Sequence, residues 1–423
     1  MNVQLAITIA VIVAMILGFM SGKFRLGLVA MTATTALCVT GVLTFDEAYA
    51  YFADSNIVML GAMFILSGAL SKTGLVYLLK DWVMKHSGHG IMIIFVYMVV
   101  CAVMTNLASP LAILSMLLPF MTALDASGPI QPSHLLYPGA VIGHSCQGAL
   151  PIGTFFLMIN ALLVGNGVEE SQLLSVFDYA KVICIPGIIS ILYMTLIGWR
   201  AFPAGAIDEG RLQERSQRKA QLTPVQEKIV YAAFVLTFAG IALKAYLPFN
   251  MAVLPILANL LFLYLNIMDL NDVKNSLNLD AIFMMVGVLP LGTAMQKTGA
   301  GELVADFIMG LLGGSPTPLM MLIAFYVAAA VLTQLMSNTA TANIFASLAI
   351  VTAMSKGLDP RPFAIAIYAG ATAAMLSPTS SPSIAIAFAA GHYKIKDVLK
   401  GCLPLWVLYG AAVIFMANLF YPL

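Results

Sequence analysis

The chain has 423 residues, of which 61% are hydrophobic and 9% are charged, and its formal net charge at pH 7 is +1. A water-soluble protein of this composition would expose large apolar patches, so the sequence predicts a membrane protein with many spans. The near-neutral charge gives no sign of the basic surface that nucleic-acid binding requires. Five cysteines, an odd number and mostly within apolar runs, argue against a disulfide framework.

Twelve apolar runs follow one another along the chain, and about 20 apolar residues are needed for a helix to span a bilayer. Two of the runs, about 91–120 and about 319–353, are interrupted near the middle by polar residues, which is typical of re-entrant hairpins. The other ten are predicted crossings, at about 5–20, 26–43, 56–71, 136–165, 180–199, 228–246, 250–268, 280–296, 362–391 and 401–422.

The distribution of basic residues predicts the orientation in the cell membrane. With ten crossings and two re-entrant hairpins, fifteen of the twenty lysines and arginines fall on one side and five on the other. Cytoplasmic loops carry an excess of Lys and Arg, so the side with fifteen is predicted to be cytoplasmic and both termini extracytoplasmic. A full crossing by the first interrupted run would invert every loop between it and the second, and so move the basic segment RLQERSQRK to the outside.

Short sequence matches recur in order in the two halves of the chain. Lys72-Thr73-Gly74 recurs as Lys297-Thr298-Gly299, Met104-Thr105-Asn106 as Met336-Ser337-Asn338, and Tyr137-Pro138-Gly139-Ala140 as Tyr368-Ala369-Gly370-Ala371. Pro151 likewise matches Pro382, and Asp178 with Lys181 matches Asp397 with Lys400. Five crossings separate equivalent points, so the two copies are predicted to insert with opposite orientations.

The predicted fold is therefore an all-α polytopic membrane protein with two inverted repeats, each with five transmembrane helices and one re-entrant hairpin. The repeats are residues 1–203 and 228–423, and a charged cytoplasmic linker, 204–227, joins them. Inverted repeats with interrupted helices are typical of secondary transporters. The chain lacks the phosphate-binding loop of ATPases and any constellation of catalytic residues within the membrane, so neither an ATP-driven pump nor an enzyme is predicted.

The hairpin tips are the first predicted part of the binding site. A helix that ends halfway through the membrane leaves backbone N–H or C=O groups without partners. The N–H groups attract an anion and the carbonyls coordinate a cation such as Na⁺. The polar residues at the predicted tips are Thr105, Asn106 and Ser109 in the first half, and Ser337, Asn338, Thr339 and Thr341 in the second.

Two crossings contain the second part of the predicted site. The stretches GHSCQGALPIGT, residues 143–154, and SPTSSPS, residues 377–383, are predicted to be unwound because prolines remove backbone donors and hydroxyls compete with the helix. His144 is the titratable side chain predicted near the membrane centre. It is interpreted either as a donor to substrate or proton carrier, or as a neutral group that caps the broken helix. The histidines have no metal-ligand spacing, so no transition-metal site is predicted.

At the second tip, Ser337-Asn338-Thr339-Ala340-Thr341 resembles the Ser-Asn-Thr signature of the divalent anion:sodium symporter (DASS) family. This resemblance implies a homodimer that carries a dicarboxylate, citrate or sulfate with Na⁺ by an elevator motion. It implies that Ser337, Asn338 and Thr339 bind one carboxylate of the substrate, with a cation nearby. The first tip matches less closely, because Leu107 stands where the family has threonine.

The site residues expected from the tips, the breaks and this resemblance form two overlapping sets. The substrate set is Thr105, Asn106, His144, Ser337, Asn338, Thr339, Pro382 and Ser383. The cation set is Thr105, Asn106, Ser109, Gly148, Gly153, Ser337, Asn338, Thr341, Ser377, Thr379 and Ser380.

The prediction is a Na⁺-coupled symporter of a small di- or tricarboxylate that needs no cofactor besides its coupling ion, Na⁺ or H⁺. Three alternatives remain: an anion exchanger that is Na⁺-independent or proton-coupled, a cation/proton antiporter, and an arsenite carrier with the same layout.

Overall fold

A computed structural model describes residues 3–21, 23–74, 90–106, 110, 113–114, 117, 121, 130–152, 154–205, 207, 222–243, 248–301, 303, 306, 310, 316–335, 337–378 and 380–423. Every regular secondary-structure element in these ranges is a helix. The predicted linker lies mostly outside the described residues, as does much of the first hairpin after residue 106.

The α-helices of the first half are α1 (Val3–Met20), α2 (Leu26–Val39), α3 (Phe45–Tyr49), α4 (Ser55–Ser71), α5 (Ile91–Met104), α6 (Pro132–Ser145), α7 (Phe155–Gly165) and α8 (Val176–Leu196). Those of the second half are α9 (Pro224–Ala242), α10 (Val253–Tyr264), α11 (Leu270–Ser276), α12 (Leu279–Thr298), α13 (Pro318–Leu332), α14 (Asn338–Ser355), α15 (Arg361–Thr372), α16 (Pro382–Ala390) and α17 (Ile395–Phe420).

Helix lengths separate full spans from partial ones. Four helical segments among the described residues are long and apolar enough to cross a membrane alone: Phe45–Leu70, Glu170–Leu196, Leu279–Thr298 and Ile395–Phe420. The helices α5 and α6 each have 14 residues, which is about 21 Å of rise against a hydrocarbon core of about 30 Å. The chain breaks between α6, which ends at Ser145, and α7, which begins at Phe155, and again between α15, which ends at Thr372, and α16, which begins at Pro382.

Hydrogen bonds between the two halves occur as a reciprocal pair. The Thr34 hydroxyl on α2 donates to the carbonyl of Gly287 on α12, and the Asn259 amide on α10 donates to the carbonyl of Ala62 on α4 at 2.8 Å. The distance along the chain from Thr34 to Asn259 equals the distance from Ala62 to Gly287, so each bond is the counterpart of the other. Contacts exchanged in this way are what a two-fold relation between two copies produces.

Two ion pairs repeat the same exchange. Lys72, at the end of α4, is 2.6 Å from Asp272 on α11, and Lys297, on the last turn of α12, is 2.5 Å from Glu47 on α3. The two lysines are as far apart along the chain as the two acids, and this offset is the same as that of the hydrogen-bonded pair. Each acid is also the third residue of a short helix and completes the capping box at the start of that helix. Each Lys-Thr-Gly match in the sequence therefore marks the end of a helix that is tied to the other half.

Contacts between segments near the two predicted membrane surfaces fall into two groups that agree with the charge distribution. On the side predicted to be cytoplasmic, the Tyr393 hydroxyl donates to the Ser133 carbonyl, and the Gly74 N–H donates to the Glu227 carboxylate at 2.7 Å. On the other side, the Gln296 amide donates to the carbonyl of Asn166 at 2.5 Å. Each of these contacts joins segments that the charge analysis places on the same side of the membrane.

Candidate functional site

The first hairpin arm, α5, ends against the break between α6 and α7. Thr105 follows the last residue of α5, and its hydroxyl donates to the carbonyl of Gly143 on α6 at 2.5 Å. Thr105 is buried, with 7% of its surface exposed. The hydroxyl therefore joins the end of the arm to the last turns of the broken helix.

Asn106 uses its whole side-chain amide on backbone groups. Its Nδ2 donates to the carbonyls of Ala102 at 2.8 Å and Cys146 at 3.3 Å. Its Oδ1 accepts from the N–H groups of Gly148 at 2.9 Å and Leu150 at 3.3 Å. An amide has two donor and two acceptor positions, and all four are occupied by protein. Direct contact of this side chain with a ligand, as the sequence predicted, would require at least one of these bonds to break.

Gln334 makes the corresponding bonds in the second half. Its Nε2 donates to the carbonyls of Ala330 and Ala373, both at 2.9 Å, and its Oε1 accepts from the N–H of Leu376 at 3.0 Å. Ala330 belongs to the arm α13, whereas Ala373 and Leu376 belong to the break after α15. Gln334 therefore connects the same two structural features as Asn106.

Thr333 stands where Thr105 stands in the first half. Its hydroxyl is 2.6 Å from the carbonyl of Ala371 and 2.8 Å from Oδ1 of Asn338. A hydroxyl has one proton, and here two oxygen acceptors compete for it. Three oxygens thus meet at one point at the start of α14, which is the kind of group that coordinates Na⁺. Rotating the Asn338 amide would instead place its N–H against Thr333.

These bonds fix which residues of the two tips are equivalent. Thr105 corresponds to Thr333 and Asn106 to Gln334, and both pairs have the same offset along the chain. The sequence match of Met104-Thr105-Asn106 with Met336-Ser337-Asn338 is therefore wrong, because it places the second tip one helical turn too late. Residue identity favoured the wrong alignment, because the position of the helix end sets the register. The amide residue also differs between the halves, being asparagine in the first and glutamine in the second.

In the corrected register, three polar residues of the second tip, Asn338, Thr339 and Thr341, correspond to apolar residues in the first-half sequence. Asn338 corresponds to Pro110, and Thr341 corresponds to Ile113, which is 1% exposed. A Cβ placed on Gly143 would be 3.2 Å from Cβ of Pro110, so the proline lies beside the first break as Asn338 lies beside the second. The oxygen cluster of the second half consequently has no amide counterpart in the first.

The start of α14 presents the residues of the Ser-Asn-Thr signature. Ser337 precedes the helix, is exposed, and makes no side-chain capping bond, whereas Asn338 and Thr339 are partly exposed. The first N–H groups of a helix have no partner within it and favour an anion. Thr341 is fully buried, and its hydroxyl has no hydrogen-bond partner. An unpaired buried hydroxyl is unfavourable, so this group indicates a ligand position.

The second break holds the predicted serines in two arrangements. The Ser380 hydroxyl donates to the Ser377 carbonyl at 2.6 Å, which stabilises a turn within the break. Ser381 begins α16 by accepting from the N–H of Ile384 at 3.2 Å, and the exposed Pro382 is the first residue of that helix.

His144 links the first broken helix to the start of α16. Its Nε2 is 2.8 Å from the hydroxyls of both Ser381 and Ser383. The ring is 5% exposed, and its Nδ1 has no partner. Nε2 binds side-chain hydroxyls at the start of the neighbouring helix and caps no backbone group, while Nδ1 has no partner, so both interpretations of His144 stay predictions.

The two breaks lie side by side. The Tyr137 hydroxyl on α6 donates to the carbonyl of Met375 in the second break at 3.2 Å. Tyr179 stacks on Phe155 with ring centroids 5.1 Å apart and covers Gly148 in the first break. The structure therefore brings both halves of the predicted site into one region, and Gly148, with φ +76°, adopts the left-handed backbone that favours glycine.

Comparison with known proteins identifies the family. The family model described as a citrate transporter, CitMHS, matches residues 12–370. The chain belongs to this citrate transporter family. This CitMHS protein is accordingly a multi-pass membrane protein of a transporter family rather than of an enzyme family.

Its relatives include uncharacterized and sodium-coupled transporters. An uncharacterized transporter of Escherichia coli is 30% identical over 204 residues, which are 48% of this chain and 33% of that protein. Sodium/sulfate cotransporter 1 of Chlamydomonas reinhardtii is 25% identical over 142 residues, which are 34% of this chain and 16% of that protein. The matched part of the chain spans a third or less of the length of these two relatives. Membership in the ion transporter superfamily with distant DASS relatives confirms the resemblance seen at Ser337-Asn338-Thr339.

Two solved structures share the fold. The YdaH transporter of Alcanivorax borkumensis gives a TM-score of 0.59 at 15% identity, over 90% of this chain and 87% of that one. MtrF of Neisseria gonorrhoeae gives a TM-score of 0.60 at 14% identity, over 92% of this chain and 83% of that one. The prediction of an all-helical polytopic membrane fold is thereby confirmed.

Three predicted site residues, Ser109, Gly153 and Thr379, lie outside the described residues. Two residues that form the site, Thr333 and Gln334, were not predicted. A signal for them exists in the sequence, since in each half a threonine followed by a side-chain amide ends an apolar run.

Proposed function

We propose that this CitMHS protein is a Na⁺-coupled symporter of a small di- or tricarboxylate, working by elevator-type alternating access. The observation that carries the proposal is the meeting of three oxygens, from Thr333, Asn338 and Ala371, at the start of α14. Na⁺ is a hard cation and is bound by oxygen ligands without a requirement for formal charge. The family description and the sodium/sulfate relative support the choice of an anion as substrate and Na⁺ as coupling ion.

The architecture belongs to the same proposal. Residues 1–203 and 228–423 form inverted repeats, each with five crossings and a re-entrant hairpin around its broken helix. The reciprocal pair of hydrogen bonds and the reciprocal pair of ion pairs, which share one offset along the chain, support it. The recurrence of the Thr-amide arrangement supports it independently, because those bonds lie within each half rather than between them.

The substrate anion binds at the start of α14, where Ser337, Asn338 and Thr339 offer hydroxyls, an amide and uncapped N–H groups. Na⁺ is coordinated by the oxygens of Thr333, Asn338 and Ala371, and the unpaired hydroxyl of Thr341 lies about one helical turn further along α14. An anion beside a cation lowers the cost of holding either inside the membrane. This proximity is the physical basis for coupling their movement.

Other predicted residues, in and beside the two breaks, hold the anion or shape the turns around the cation. Ser383 and Pro382 at the start of α16, with His144, hold the second end of the anion. Ser377 and Ser380 shape the turn that presents carbonyls to the cation. Thr105 and Gly148 hold the corresponding turn of the first half in place.

The test is uptake of labelled citrate, succinate, malate, tartrate and sulfate into proteoliposomes, with an inward Na⁺ gradient, a proton gradient or neither. We expect at least one carboxylate to accumulate only with the Na⁺ gradient. Accumulation with the proton gradient, or counterflow that needs no cation, would assign an exchanger or proton-coupled carrier instead. If no anion moves while Na⁺ or arsenite does, the proposal is wrong and the antiporter or arsenite-carrier alternative holds.

The proposal also includes a homodimer in the cell membrane with both termini extracytoplasmic. Mass measurement of the protein in nanodiscs reports the number of copies. Protease accessibility of terminal tags in intact cells reports the orientation, and cytoplasmic tags would contradict it.

A further inference from the structure

We infer that Asn106 and Gln334 are equivalent positioning residues, which act on the ligands through the backbone of the two breaks rather than by touching them. The inference deepens the proposed function and rests on it for the identity of the ligands. The positioning geometry itself is independent of the proposed function, because the hydrogen bonds alone define it.

Each amide replaces part of the helical hydrogen bonding that the break removes. One N–H returns to the carbonyl four residues earlier in the hairpin arm, Ala102 in α5 or Ala330 in α13. Such terminal carbonyls have no partner within their helix, so the bond closes the arm and fixes the amide plane. The amide is thereby aimed at the break before any ligand arrives.

The other positions of the amide hold the break at two points. The second N–H goes to the carbonyl just after the broken helix, Cys146 or Ala373. The amide oxygen accepts an N–H two or three residues further on, from Gly148 in the first break or Leu376 in the second. Held at both points, the break keeps its other backbone groups in place for ligands. Pre-positioned polar groups bind more tightly because less ordering is required on binding.

The two amides differ in length and hold different stretches of backbone. Asn106 spans from Cys146 to Gly148 and Leu150, two and four residues further on, whereas Gln334 spans from Ala373 to Leu376, three residues further on. We therefore expect each side chain to be specific for its own break, so that Gln334→Asn fails to reach and Asn106→Gln displaces residues 146–150.

The first experiment measures hydrogen exchange in nanodiscs without ligands. Gln334→Met removes the amide at nearly constant volume, and we expect exchange of the Leu376 N–H to speed up about five- to tenfold, the factor that one lost hydrogen bond represents. Residues 146–150 should be unchanged. Asn106→Leu should instead speed up exchange of the Gly148 and Leu150 N–H groups and leave exchange of the Leu376 N–H unchanged. The matched control is Gln296→Met, which removes an amide-to-carbonyl bond to Asn166 away from both breaks.

The second experiment measures Na⁺-driven uptake by the same variants. At matched amounts of folded protein, Gln334→Met should raise the half-saturating Na⁺ concentration by a similar factor, and Gln334→Asn should behave like Gln334→Met. The control should match the wild type in both assays. Unchanged exchange at the breaks, or an equal effect of Gln296→Met, would overturn the inference. If exchange changes as expected but the wild type transports no anion, the proposed function fails and the positioning role stands.

Discussion

The two breaks share a framework but differ in what they offer a ligand. In both halves, a threonine hydroxyl and an amide tie the hairpin arm to the broken helix. In the second half, Asn338 and Thr341 add polar groups to this framework, whereas the first half has Pro110 and Ile113 in their places. The framework therefore recurs in both halves, whereas these additional polar groups belong to the second half. We therefore expect the second half to bind ligands more strongly than the first.

The largest expected difference is between Asn338→Ala and Pro110→Ala. Asn338→Ala removes a polar group from the oxygen cluster, and hydrogen bonds to charged groups contribute about 1.5–3 kcal/mol, which is roughly 10- to 150-fold in binding. Na⁺-driven uptake should fall by that order. Pro110→Ala removes no polar group and should change uptake by less than about twofold. Equal losses from both variants, measured at matched amounts of folded protein, would contradict the asymmetry.

A gain of function sharpens the same comparison. Pro110→Asn gives the first half the amide that the second half has, beside Thr105 and Gly143. We expect a second cation to bind, seen as a Hill coefficient for Na⁺ that rises from about 1 toward 2. A wild-type Hill coefficient already near 2 would indicate that the first half binds a cation without this amide.

Thr341→Val makes the second half resemble the first at the position of Ile113. Without ligands, loss of an unpaired buried hydroxyl should raise the melting temperature slightly, because such a group costs about 1–3 kcal/mol. The stabilisation that saturating Na⁺ adds to the wild type should shrink. If Na⁺ stabilises the variant as strongly as the wild type, Thr341 does not contribute to the cation site.

The smallest effects are expected at the ion pairs that join the halves. Lys72 and Asp272 are 29% and 13% exposed at their side chains, and Lys297 and Glu47 are 44% and 31% exposed. Exposed ion pairs stabilise little, so Lys72→Met should lower the melting temperature by less than about 3 °C. Lys297→Met should lower it by less. A larger effect of Lys297→Met would show that the two pairs are not equivalent.

The sequence predicts the places where helices break better than it predicts which residues do the binding. Prolines and clustered serines mark the break after α15, because they remove donors or compete with the helix. The roles of Thr333 and Gln334 depend on their position relative to a helix end, which composition does not reveal. Asn106 looked like a ligand because its type suits one. The structure shows an amide whose four positions are already filled.

We expect the second tip, and not the first, to hold the coupling cation beside the substrate anion. A structure of the wild-type protein in nanodiscs with Na⁺ and the transported carboxylate tests it directly. We expect cation density within bonding distance of the Thr333 hydroxyl, the Asn338 amide and the Ala371 carbonyl, and anion density at the start of α14. Cation density between Thr105 and Gly143, with none at Thr333, would contradict the account.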